Sequence, residues 1–257
     1  MKKICILMAT LLIALSLFGC SNPNTQKTSD TPKTNQGQNQ QGQGNAAVHE
    51  KDPYVSLLLN KNVNERLVDD GKFSYMIRTD KNDIQKGYVV IYGYKGGGGF
   101  LEIPNSLGGY PVVVIKNSIF KGRSDIVDIV FPDSLREIEF DDFEEGKNVQ
   151  LLGDTQWLQG LPDGFCHAGK VFIGHKGELS ADTELKIREG IVSVANGALR
   201  SVEAKNITSV KFPDSMRYIS EYSFSGTSVK EVTVESWWQK YNDAFPEDAE
   251  ITLADKI

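Results

Sequence analysis

The side chains best suited to covalent chemistry sit in one short run, FCHAGKVFIGH (165–175), which supplies Cys166, His167 and His175. A cysteine nucleophile needs an imidazole within hydrogen-bond reach of its sulfur. Neighbours in an extended segment point to opposite faces, so Cys166 and His167 are badly placed for each other. The run reads as a buried structural thiol beside surface histidines, and His49 lies in a distant polar stretch. KGGGGF (95–100) offers backbone to a phosphate, but it lacks the GxxxxGK[ST] spacing and no Lys-Ser or Lys-Thr opens a helix after it. A flexible hairpin turn is the expectation there. EIEFDDFEEGK (137–147) concentrates carboxylates without the DxDxDG spacing of a calcium loop, and such charge runs are usually solvated faces. No CxxC pair or disulfide framework is present. These residues imply no catalytic group, metal or cofactor. The competing reading is a secreted hydrolase or sensor component whose repeats support a separate site. It would need a nucleophile or paired carboxylates in 52–87, where neither constellation stands out.

The chain carries 28 basic and 34 acidic residues. A nucleic-acid binder would normally show a basic footprint, so that class is excluded. A polybasic membrane patch is missing as well.

What positions the remaining residues is a repeat. IVFPDSLREIEFDDF (129–143) returns as VKFPDSMRYISEYSF (210–224), at an offset of 81 residues. The apolar positions agree: Ile126/Ile207, Ile129/Val210, Phe131/Phe212, Leu135/Met216, Ile138/Ile219 and Phe143/Phe224. Proline cannot donate to a ladder, so Pro132 and Pro213 should each close a short strand, with Asp and Ser stabilising the turn. More degenerate copies place Ile103 and Phe120, then Leu185, Ile187, Ile191, Val194 and Leu199, in the same order. Steps of 22, 25 and 28 residues between equivalent strands indicate a solenoid of leucine-rich type. Glu137 and Tyr218, between inward positions, are expected to face solvent.

At this point the unit of strand, Pro-Asp-Ser, aliphatic, Ile and Phe resembles the BspA-like leucine-rich repeat of bacterial surface proteins. GGYPVVVI (108–115) is similar to the opening repeat of that family, and 151–177 to an insertion between repeat blocks. The resemblance implies a β-rich (α+β) leucine-rich-repeat solenoid of short parallel strands. It implies a binding or adhesion module for a protein or glycan. Glu102, Asp128, Val130, Lys186, Ser209, Lys211, Glu231 and Thr233 would face outward on the strand ladder. Except for Glu102, these are the candidate binding residues.

The two ends complete the organisation. Lys2 and Lys3 precede a fifteen-residue apolar run, too short for a comfortable membrane span and matching a signal peptide. Leu17-Phe18-Gly19-Cys20 resembles the lipobox of bacterial lipoproteins, which implies that Cys20 is acylated and anchors the chain to a membrane. Residues 21–51 hold no aromatic residue and no Ile, Leu, Met or Phe, the composition of a disordered tether. The expected domains are a signal peptide (1–19), lipidated Cys20 with its linker (20–51), an N-terminal cap (52–86) and the repeat domain (87–257). A C-terminal cap would occupy 235–257, where Trp238, Tyr241 and Phe245 at i, i+3, i+7 predict a helix over the open end.

Overall fold

In the computed structural model, which describes residues 51–139, 153–236, 238–240 and 243–254, the fold begins at Asp52. Its Oδ1 accepts the N–H groups of Tyr54 and Val55, both at 2.9 Å, and so caps the short helix α1 (Pro53–Leu58). Proline at the first helical position lacks an N–H that would have gone unsatisfied. Next come β1 (Val63–Asp69) and β2 (Phe73–Asp80), an antiparallel hairpin laid against β3 (Gly87–Tyr94). The run FSYMIRT (73–79) lies within β2.

From β3 onward the chain coils, giving strands alternately to two parallel ladders. The first ladder receives β4 (Gly99–Glu102), then a minor hairpin of β5 (Ser106–Leu107) and β6 (Tyr110–Lys116) follows. The hairpin turns on Gly108 and Gly109, whose φ values of +56° and +88° suit glycine and match the twist of the flanking strands. β7 (Ile126–Val130) pairs with β4 in the first ladder, and β8 (Glu137–Glu139) pairs with β6 in the second. After the interruption come α2 (Gln156–Gly160) and the antiparallel pair β9 (Gly164–Ala168) and β10 (Val171–Lys176). The alternation resumes through β11 (Thr183–Lys186), β12 (Ser193–Val194), β13 (Ile207–Lys211) and β14 (Tyr218–Ile219). It ends with β15 (Glu231–Glu235), β16 (Gln239–Lys240) and β17 (Glu250–Ala254). The first ladder thus holds the pairs β4–β7, β11–β13 and β15–β17. The second runs β3–β6–β8 and then β10–β12–β14–β16.

The repeated Phe-Pro-Asp-Ser turn has a physical purpose. Each proline ends its strand, and Ser134 and Ser215 each donate 2.7 Å hydrogen bonds to the preceding coil, at Val112 C=O and Ile191 C=O. Arg136 and Arg217 each close the turn by donating to the carbonyls of Asp133 and Leu135, or Asp214 and Met216. Between the ladders lies one continuous core. Ile126, Leu135 and Ile138 are fully buried, as are Ile207, Met216, Ile219 and Phe224. Phe224 stacks on Phe245 of the next coil at 4.9 Å and 9°. A ring buried this way contributes about 1.5–3 kcal/mol. Phe143 lies outside the described residues.

Four expectations are corrected. Glu137 and Tyr218 are buried, because the outer face of the second ladder is covered. Tyr218 packs in a second cluster with Val55 and Leu58 of α1 and with Tyr88, Val90, Val113 and Val114. The C-terminal aromatics do not form a helix among the described residues. β15, β16 and β17 make another coil, with Lys240 in register with Ile219 and Phe245 at the repeat's Phe position. Trp237 and Tyr241 lie outside the described residues. KGGGGF is no hairpin: it carries the chain from the second ladder to the first. Gly98 lies so close to Asp125 that a Cβ would come within 2.4 Å of its carboxylate, and Arg123 ties the loop by donating to Gly96 C=O at 3.1 Å. Finally, His175 is buried rather than at the surface.

Candidate ligand-binding face

Alternation along a strand sends one side chain to the core and the next to solvent. On the first ladder it leaves Glu102, Asp128, Val130, Lys186, Lys211, Glu231 and Thr233 exposed and Ser209 half-buried. Register sets their neighbours: Phe100 lies opposite Asp128, Glu102 opposite Val130, Glu184 opposite Ser209, and Lys186 opposite Lys211. Further along, Glu231 faces Glu250 and Thr233 faces Thr252.

These residues fall into separate patches, because the ladder is broken twice. The first break lies between β7 and β11, where α2 packs against β7 and Trp157 meets Phe131 edge-on at 5.5 Å. On β4 and β7 Phe100, Val127 and Val130 are exposed apolar side chains, with Phe100 in register with Asp128. The second break parts β13 from β15 and opens a cleft of about 670 Å³. It brings Ser209, Lys211, Glu231 and Thr233 together with Glu235, Glu250 and Thr252. Asp128, Val130 and Lys186 stand outside it.

Sequence reasoning missed Phe100, Glu250 and Thr252. The period-two alternation of FLEI and EITL was the signal that could have found them. Between the patches Glu184 binds both Lys186 (2.9 Å) and Lys211 (2.8 Å), and these ammonium groups hold its carboxyl below the usual glutamate range.

The covalent-chemistry candidates are built into structure instead. Cys166 and His167 are on opposite faces of β9, as alternation requires. The Cys166 thiol points to Gly164 C=O at 3.5 Å, and burial pushes its pKa up, away from thiolate. Burial, helped by the charge of Arg188, pushes His167 down to about 4. His175 has Nδ1 3.2 Å from Gly177 C=O and Nε2 2.9 Å from Ser201 Oγ. A carbonyl only accepts, so Nδ1 carries the proton and Nε2 accepts from the Ser201 hydroxyl. With His175 at 1% and Ser201 at 6% exposure, no substrate reaches this pair. Among the described residues no group of three His, Cys, Asp or Glu is placed to hold a metal, and no helix is long and apolar enough to cross a membrane. Cys20 and His49 lie outside the described residues, as does all of the acidic run beyond Glu139.

Two parallel ladders closed around a core of repeated aliphatic and phenylalanine positions define a leucine-rich-repeat solenoid. The family described as "BspA type Leucine rich repeat region" matches residues 101–152 and 180–251 in six copies. The unmatched gap coincides with α2, β9 and β10. The chain is similar to a leucine-rich repeat protein of T. pallidum at 17% identity, covering 74% of this chain and 65% of that one, with a TM-score of 0.31. It is similar to a leucine-rich cell surface protein of Faecalibacterium prausnitzii at 17% identity, 75% and 56% coverage and a TM-score of 0.27. The pneumococcal vaccine antigen PcpA matches at 13% identity, 74% and 50% coverage and a TM-score of 0.27. The chain spans less than two thirds of each of these structures. No curated protein matches it.

Proposed function

We propose that this chain is a surface-displayed binding module, held at a membrane through a lipid on Cys20, that recognises a protein or glycan through its first ladder and carries out no chemistry. One observation carries the reading. The outward side chains of the first ladder are open to solvent, whereas the corresponding face of the second is covered by α1 and its neighbours. Among the described residues the first ladder is therefore the one left free, and repeat proteins use such extended faces for binding. The BspA-type repeats agree with an interaction role.

The test is a glycan and protein array probed with the full chain. Ser209→Arg with Thr233→Arg should abolish capture of any ligand seated on β13 and β15, and Asp128→Arg with Val130→Arg of any seated on β7. In each case the melting temperature should hold. Capture should be indifferent to Cys166→Ala and His167→Ala. Turnover of an array compound that disappears with either of those two changes would overturn the reading.

A further inference from the structure

The fork between β13 and β15, we propose, is where the first ladder admits its partner, and the occupant is an extended, basic stretch of polypeptide. This rests on the binding role above and narrows it. No ladder bond joins β13 to β15, although each is paired on its other side, with β11 and with β17. On the second ladder the same two coils remain paired, through β14 and β16. The opening is one-sided. Ser228 N–H closes its base by donating to Ile207 C=O at 2.9 Å. Rings prop its mouth: register places Trp238 where the coil before has Arg217, and Phe212 meets the indole edge-on at 5.1 Å.

The occupant follows from what the walls offer. Parted parallel strands of five residues give an edge about 16 Å long, the setting in which an added strand finds main-chain partners. The carboxylates of Glu231, Glu235 and Glu250 line the cleft, and among the described residues none of the three has an ion-pair partner. Lys211, the cation of the cleft lining, is already engaged by Glu184. Glu231 and Glu250 are register partners, and like charges directly opposite repel unless a cation comes between them. A sugar would want a flat aromatic face. Trp238 offers none, being 8% exposed and packed against Phe212.

The probe is a fluorescein-labelled decapeptide of alternating Lys and Thr, titrated into the full chain at low salt. It should bind saturably, and an alternating Glu–Thr decapeptide should not. Glu231→Lys with Glu250→Lys changes two exposed groups; at an unchanged melting temperature it should weaken binding roughly tenfold or more. Glu178→Lys, an exposed carboxylate outside the cleft lining, should leave binding intact. N-methylation of alternate peptide amides should weaken it comparably, because an added strand needs those donors. Equal competition by spermine with no effect of N-methylation would overturn strand addition. Absence of binding, or binding indifferent to the paired glutamate change, would overturn the site. In that event, loss of an array ligand with Asp128→Arg and Val130→Arg would leave the wider binding role standing. An array ligand that no ladder change releases would sink both.

Discussion

A carboxyl group cut off from water, with no cation among its hydrogen-bond partners, lowers its energy by keeping its proton. Glu137 is such a group: 3% exposed, it faces Ser220 Oγ at 2.5 Å and accepts Asn196 N–H at 3.0 Å. Burial pushes its pKa up to about 8, from 4.5 for a free side chain. Between those values the folded state holds a proton that the unfolded state has lost, so stability falls as pH rises through this window. Glu137→Gln stays neutral and keeps both hydrogen bonds. Its advantage over the native chain should be near zero at pH 4.5 and should grow to on the order of a few kcal/mol by pH 8. Parallel curves in urea titrations across that range would mean the carboxyl is ionised in the fold. The sequence could not show this burial, because strand alternation is blind to what later covers an outer face. His175 was more legible. VFIGH is a near-continuous run with no polar alternation, the mark of a strand buried on both sides, and β10 is buried from Val171 through His175.

At the scale of elements, the repeated turn was readable and its long-range bonds were not. Pro132 and Pro213 announce strand ends, but nothing local says that each serine reaches the coil before it. Ser134→Ala leaves Val112 C=O without this donor in a buried site and should cost about 1–3 kcal/mol. Ser215→Ala, half-buried, should cost less, and Asp133→Ala at the exposed corner less still. Urea melts that rank Asp133 above Ser134 would contradict this account of the turn. The inward register is open to the same assay: Ile138→Ala and Ile219→Ala should each cost roughly 2–5 kcal/mol. The C-terminal misreading has a simple origin. Trp238, Tyr241 and Phe245 have helical spacing, but repeat register decides the segment, placing Gln239 and Lys240 beside Tyr218 and Ile219.

For the whole molecule, the joint between its N-terminal helix and the coil combines the packing of Val55 and Leu58 with a buried ion pair. Asp52 Oδ2 accepts from Arg136 Nη2 at 2.9 Å and Nε at 3.0 Å, and Tyr54 lays its ring 4.9 Å from the guanidinium. Asp52 thus caps α1 and docks it against the second ladder. A chain beginning at Asp52 should melt with one beginning at Ser21, while one beginning at Tyr54 should lose about 3–5 kcal/mol by uncovering Arg136. Equal stability of all three would remove α1 from the account. Upstream, labelled fatty acid fed to an expressing bacterium should enter the native chain and not Cys20→Ala; label retained by the variant would place any lipid elsewhere.

The claim that binding belongs to the one uncovered ladder is tested most directly by hydrogen exchange on the full chain, with and without its tightest array ligand. The account predicts slowed exchange confined to the first-ladder strands β4, β7, β11, β13, β15 and β17, with the β1–β2 hairpin and α1 unchanged. Protection centred on α1 or the hairpin, with the first ladder exchanging freely, would contradict it.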